Sequence, residues 1–243
     1  MASTPVVLIT GASGFLATRL LYIASDRAKV IATSRTRPTS LPEGAEWYSA
    51  DLRHASDLEA LLVETRPQAV VHTAAANPGP GADFATNVET AATVGAGAAR
   101  SGARLVHVSS DIVHSGRDAP YGDEAEPDPI NDYGHSKADA EATVLAACPE
   151  AVVVRTSLIY GLETMDRGTA GFAETLAAGE TLSLWDDAIR QPAWIDALSD
   201  SLVRLALDHP NESGPLNLAG EQTLSRAAFG RRMLVLWGVD TSC

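Results

Sequence analysis

"VVLITGASGFLATRL", Val6–Leu20, joins a short run of aliphatic residues to a helical pattern through two glycines. Val6–Thr10 reads as a buried strand, because it is continuously apolar and rich in β-branched residues. Gly11 and Gly14 follow it at once and Ala17 stands three residues further, giving G-x-x-G-x-x-A. Gly11 permits a tight turn, Gly14 lets backbone amides approach a pyrophosphate at the helix N-terminus, and Ala17 is small enough for close helix–strand packing. The stretch therefore predicts a dinucleotide site, with Gly11, Ser13, Gly14, Phe15 and Leu16 as its first contacts.

Further along, the same alternation repeats. Lys29–Ser34, Ala69–Ala74, Arg104–Ser109 and Ala151–Ser157 are short Val- and Ile-rich runs bounded by turn residues. Between the runs lie helical candidates: Gly14–Ser25, Asp57–Thr65, Ala82–Ser101 and Asp132–Ala147. Strand–helix alternation of this kind implies an α/β fold, a Rossmann-type doubly wound parallel sheet with right-handed crossovers. After Gly161 the pattern loosens, with a helix near Asp196–Leu207, a short "GPLNLAG" and a last helix near Leu224–Leu236. The expected division is a nucleotide-binding body over 1–160 and a smaller, interdependent C-terminal substrate region over 161–243.

The second strand chooses the cofactor. An NAD site usually carries Asp or Glu at that strand's end to bind the ribose diol. Here the stretch is "VIATSRTRP", with Ser34, Arg35 and Arg37 and no carboxylate. Arg35 suits a 2′-phosphate through charge-assisted hydrogen bonds, so NADP(H) is expected and NAD(H) is the alternative. Asp51 and Leu52 stand where an adenine edge would be bounded by a carboxylate and an apolar backbone segment. Ala74, Ala75 and Ala76, after the fourth strand, are small enough for a cofactor to lie against the backbone.

Bulk properties narrow the partners. A formal charge of −13 argues against general binding to nucleic acid or an anionic membrane, which repel acidic proteins. The start lacks a basic segment followed by a long apolar run, and no stretch approaches the roughly 20 apolar residues of a membrane span. A cytoplasmic protein is expected. Cys148 and Cys243 have the spacing of neither a disulfide framework nor a metal site. The acidic run Gly122–Asp128 reads as a solvated loop, so no metal is assigned.

"YGHSK", Tyr133–Lys137, holds a phenol and an ammonium at i and i+4, hence on one face of a helix. Asn131 or Asp132 is available to cap that helix. "TGASGFLA", "HTAAA", "NVETAATVGAGAARSGARLVHVSSD", "YGHSK" and "VVRTSLIYG", in this order, resemble the extended short-chain dehydrogenase/reductases. Within them, "SSDIVHSGRDAPYGDEAEPDPINDYGHSKADAEATVL" followed by "RTSLIYG" looks most like the dTDP-4-dehydrorhamnose reductase branch, and the likeness runs from Val6 to Leu236.

The resemblance implies that Tyr133 and Lys137 are the catalytic tyrosine and lysine, that Ser110 is the hydroxyl residue beside them, and that Asn87 belongs to the cofactor site. It places Asp111, His114, Leu158 and Arg190 at the substrate, Arg190 as a diphosphate contact. Two positions depart from the branch: Leu158 replaces an aromatic residue, and "VHSG" stands for "VFDG". The chain also ends sooner after its last helix than the branch implies, so part of the substrate region is expected to be missing or reduced. A homodimer is a further expectation of the likeness.

Reducing a ketone needs a proton donor and a group that stabilises the nascent alkoxide. A phenol has a pKa of about 10, and lowering it by about 3 units takes about 4 kcal/mol. One cation about 4 Å away at an effective dielectric of about 20 offers about that much. Lys137 is expected to be this cation, Tyr133 the acid, and Ser110 the neutral donor to the carbonyl oxygen. The function expected is therefore NADPH-dependent reduction of a keto-sugar nucleotide. An epimerase or dehydratase that regenerates its cofactor, and a non-catalytic NAD(P)-binding regulatory protein, are the alternatives.

Overall fold

The computed structural model describes residues 4–240. Its first unit comprises the chain up to Thr156 together with Ser199–Asn217, and its second comprises Ser157–Leu198 and the chain from Leu218 onward.

The first unit is built on β1 (Val6–Thr10), β2 (Lys29–Ser34), β3 (Glu46–Ser49), β4 (Ala69–His72), β5 (Arg104–Ser110) and β6 (Val152–Thr156). With β10 (Gly214–Leu218) they form one seven-stranded sheet in the order β10-β6-β5-β4-β1-β2-β3. Every pair from β6 to β3 is parallel. The helices between strands are α1 (Phe15–Ser25), α2 (Ala55–Thr65), α3 (Ala85–Ser101) and α4 (Asp132–Ala147), as right-handed crossovers require. The chain winds outward from β1 to β3, then returns to β4 on the other side of β1. That reversal creates a switch point between β1 and β4, where ligands of such sheets bind beyond the strand ends.

Strand side chains alternate between faces, so residues two apart share one. On the face toward α2–α4, Leu8, Ile31, Val70 and Leu105 form a continuous apolar layer against Leu58, Leu62, Val94, Ala140 and Val144. Two residues further along each strand the layer turns polar: Thr10, Thr33, His72 and His107 are all buried there. Thr10 hydrogen-bonds His72 Nδ1 at 2.7 Å, and the two histidine rings stand 5.1 Å apart. One step higher come Ser109 and Arg155. The core therefore becomes progressively polar toward the end of the sheet that carries the glycine loop.

The sequence division at 160 is redrawn in one respect. Most of α6 (Ile195–Leu207) and nearly all of β10 belong to the first unit. The physical cause is long-range: β10 pairs with β6, and the Arg104 guanidinium donates to the carbonyls of Leu205, His209 and Glu212.

The second unit contains two small two-stranded sheets, β7 (Ile159–Tyr160) with β9 (Ala193–Trp194) and β8 (Ile189–Arg190) with β11 (Leu224–Ser225). Its helices are α5 (Arg167–Ala177) and α7 (Arg226–Leu236), capped by Asp166 and Ser225, whose side chains accept from the third-residue amides. Tyr160 and Phe229 meet edge to face at 5.9 Å and anchor its small core. Cys148 is buried and free, while Cys243 lies outside the described residues. Among the described residues no helix is long and apolar enough to cross a membrane.

Candidate active site

The glycine loop sits at the switch point. Gly11 has φ +70°, and a Cβ there would lie 2.8 Å from both Cα and N of Ala74, so the loops after β1 and β4 touch backbone to backbone. Gly14 donates its N–H to Gly11 O at 2.8 Å and is the N-cap of α1. It supplies no side-chain cap, and the first turn of α1 holds no acid. The opening amides of this helix therefore have no intrahelical partner, and its positive dipole end has no counter-charge. Such a cradle fits the pyrophosphate of a dinucleotide. Ser13 and half-buried Phe15 face outward, whereas the Leu16 side chain is in the core and leaves only its amide to a ligand. Ala74, Ala75 and Ala76 are half-buried beside this loop.

Three of the expected cofactor residues have partners of their own within the fold. Asn87 is buried, with Oδ1 accepting from Ala76 N at 2.7 Å and Nδ2 donating to Ala76 O and to Ser136 Oγ. It clamps the alanine loop to α4 with its amide hydrogens already committed. Asp51 is bound by Arg53, whose Nε lies 3.0 and 3.1 Å from its two oxygens. That guanidinium holds the carboxyl well below the usual range. Leu52 points into the apolar core. Arg35 is exposed just past the end of β2.

At the end of β5, α4 crosses the turn that carries Ser110. Asn131 caps α4 by accepting from Gly134 N at 2.8 Å, which starts the helix one residue before Tyr133. Gly134 then lets α4 approach the turn after β5, since a Cβ there would lie 2.5 Å from Ile112 O. This close crossing brings the Tyr133 phenol near Ser110 and sets Phe84 against its ring at 5.6 Å. The phenol also reaches Asn77 Oδ1 at 3.4 Å. Ser110 in turn donates to Asp111 at 3.3 Å. Sequence reasoning did not single out Gly134 or Asn77. Their only sequence signal is position, inside "YGHSK" and directly after the alanine run.

The electrostatics correct the sequence expectation. Lys137 is buried, with its Nζ donating to Val108 O at 2.8 Å, and burial lowers its pKa to about 8. Tyr133 is pushed up to about 12 by burial and by the Asp111 carboxylate, with the nearby Ser110 hydroxyl opposing. Lys137 is not among the groups that shift it. The phenol is thus held protonated rather than drawn toward phenolate.

His114 is also reassigned. Its ring is buried, stacked on Tyr121 at 4.1 Å and 6°, with Nε2 beside Arg155 Nη1. Burial and the Arg155 charge push its pKa down. It packs a loop instead of facing a ligand. That loop is held by Arg155, which donates to the carbonyls of Asp123 and Ala125 and forms a buried ion pair with Glu141 at 2.8 Å. Two acids of the run Gly122–Asp128 serve the loop as well, Asp128 accepting from Ser115 N and Asp123 from Asn217 N. Among the described residues no three His, Cys, Asp or Glu gather in a metal-binding group. Leu158 and Arg190 lie in the second unit, Leu158 accepting from Ala193 N and Arg190 pairing with Leu224 across the β8–β11 ladder. A groove of about 790 Å³ lined by Val63, Arg66 and Ser101 lies at the opposite end of the sheet and takes no part in this site.

A switch-point glycine loop opening a helix, with Ser, Tyr and Lys at the end of β5, defines a dinucleotide-binding protein of the extended short-chain dehydrogenase/reductase type. The chain belongs to the RmlD substrate-binding domain family, whose profile matches residues 5–243. It is similar to a probable dTDP-4,6-dihydroxy-2-methyloxan-3-one 4-ketoreductase of Streptomyces antibioticus, 32% identical over 86% of this chain and 70% of the relative. It is 36% identical to dTDP-4-dehydrorhamnose reductase of Mycobacterium tuberculosis over 58% of this chain, but that match spans about half of the relative's length. Methionine adenosyltransferase 2 subunit beta of Danio rerio also matches, 31% identical over 64% of this chain and 48% of the relative. Among solved structures, dTDP-4-dehydrorhamnose reductase from Bacillus anthracis in complex with NADP superposes with a TM-score of 0.77, covering 99% of this chain and 83% of that one at 24% identity.

Proposed function

We propose that this protein is an NADP(H)-dependent reductase of a keto-sugar nucleotide. The observation that carries the reading is the Tyr133 phenol, set at the end of β5 near Ser110, packed on Phe84 and held protonated by burial and the Asp111 carboxylate. A reduction must deliver a proton to the nascent alkoxide, a stronger base than a phenolate, and a protonated phenol carries that proton. An epimerase or dehydratase that begins by oxidising a hydroxyl needs the phenolate first, which this environment disfavours. The names of the two reductase relatives support the same direction.

The roles follow from the chain's own groups. The amides of Gly14, Phe15 and Leu16 hold the pyrophosphate, and Arg35 recognises a 2′-phosphate in place of the missing carboxylate. When bound, the nicotinamide supplies the hydride. Ser110 donates to the substrate carbonyl oxygen, and Tyr133 passes its proton to the same atom. Lys137 holds the cofactor side of the site with the ammonium hydrogens that Val108 does not take. Asp111, beside Ser110, contacts the sugar nucleotide.

The test is NADPH consumption across a panel of 4-keto sugar nucleotides. Turnover with at least one of them is expected, with release of the oxidised cofactor. Cofactor binding without turnover on every substrate would overturn the reading in favour of a regulatory protein. Conversion of a sugar nucleotide with no net use of NADPH would replace it with an epimerase or dehydratase.

A further inference from the structure

The turn that follows β2 carries two arginines, and they are not equivalent. Trp47, on β3, donates its indole N–H to Ser34 Oγ at 3.1 Å, and Ser34 Oγ donates onward to Thr36 O at 2.7 Å. This relay closes the turn, and buried Pro38, with its fixed φ, ends it. The same indole lies under the Arg37 guanidinium, whose Cζ is 5.7 Å from the ring centroid. Arg35 and Arg37 are both exposed, and among the described residues neither enters an ion pair. In a chain with 18 basic and 31 acidic residues, two exposed arginines two positions apart without ion-pair partners are a local excess of positive charge.

We propose that Trp47 is the positioning residue of a 2′-phosphate subsite formed by Arg35 and Arg37 together. The indole N–H shapes the turn through Ser34, and the ring face holds Arg37 beside Arg35 by a cation–π contact. The Ser34 hydroxyl is committed to this relay and is a brace, not a phosphate ligand. Arg37, absent from the sequence assignment of the site, becomes the second cation. The inference rests on the NADP(H) reading above and adds which residues make the preference.

The experiment is isothermal titration of the full chain with 2′,5′-ADP, which carries the 2′-phosphate, and with 5′-AMP, which lacks it. Wild type is expected to favour 2′,5′-ADP. Trp47→Leu should lose about tenfold of that preference, the share of one cation–π contact and one hydrogen bond, with 5′-AMP binding unchanged. Trp47→Phe, which keeps a ring face but no N–H, should lose less. Arg37→Gln, at an exposed site that folding does not depend on, should reproduce the Trp47→Leu loss. An unchanged ratio in Arg37→Gln, or equal losses for both nucleotides in Trp47→Leu, would overturn the positioning role alone. A wild type that binds the two nucleotides equally would overturn the NADP(H) preference itself.

Discussion

Glu141→Gln tests the buried scaffold behind the active site. The Glu141 carboxylate accepts from Ser109 Oγ, from Arg155 Nε at 3.1 Å and from Arg155 Nη2 at 2.8 Å, and both charged side chains are only 4% exposed. Glutamine conserves the volume but removes the counter-charge and turns an amide toward a guanidinium. Breaking one partner of a buried pair costs about 3–5 kcal/mol, because the surviving charge stays desolvated. Against a typical total of about 5–15 kcal/mol, that is a large share. At about 2–4 °C per kcal/mol for a chain of this size, the melting temperature should fall by about 10 °C. Urea denaturation followed by tryptophan fluorescence measures the loss. Hydrogen exchange should quicken at Asp123–Ala125, whose carbonyls Arg155 holds. The double replacement Glu141→Leu with Arg155→Met should recover at least half of the loss, since no unpaired charge remains. A Glu141→Gln protein within about 1 kcal/mol of wild type would refute the reasoning, since a desolvated guanidinium without its carboxylate cannot be that cheap.

Gly11→Ala should abolish detectable dinucleotide binding in titration calorimetry, because its Cβ would press on the Ala74 backbone at 2.8 Å from a left-handed φ; unchanged affinity would contradict the cradle. Gly134→Ala should lower turnover at least about tenfold with cofactor affinity retained, because its Cβ, 2.5 Å from Ile112 O, lifts Tyr133 away from Ser110; equal turnover would show that the helix crossing is not tight. Lys137 titrates near 8 in the folded chain against an ordinary value of 10.5. A depressed folded pKa contributes stability that is present above the unfolded value and lost as pH falls through the folded one. Lys137→Met should therefore gain on wild type by on the order of 3 kcal/mol as pH drops from 10.5 to about 8, and a difference flat in pH would contradict the burial of that ammonium.

Much of the fold was legible because the governing signals are local. Buried parallel strands need β-branched runs such as Val6–Thr10 and Val152–Thr156, and a phosphate loop needs small residues at fixed offsets. The i and i+4 spacing of Tyr133 and Lys137 and the succession of β5 and α4 were legible too. What sequence could not convey depends on partners distant in the chain. The Tyr133 pKa moved up instead of down because burial and Asp111 act on it while Val108 holds the lysine. His114 turned inward because Arg155, 41 residues away, draws its loop over the strand ends. Asn87 became a clamp through Ser136, 49 residues on, and Trp47 acquired a role only once β3 lay beside β2.

The most direct test of the proton-donor assignment is a single-turnover comparison of wild type with Tyr133→Phe, following hydride transfer from NADPH to a keto-sugar nucleotide at neutral pH. NADPH affinity should be preserved and the transfer rate should fall by about 10²–10⁴-fold, the usual worth of a positioned acid. A phenylalanine variant that reduces the ketone at the wild-type rate would show that the proton comes from elsewhere.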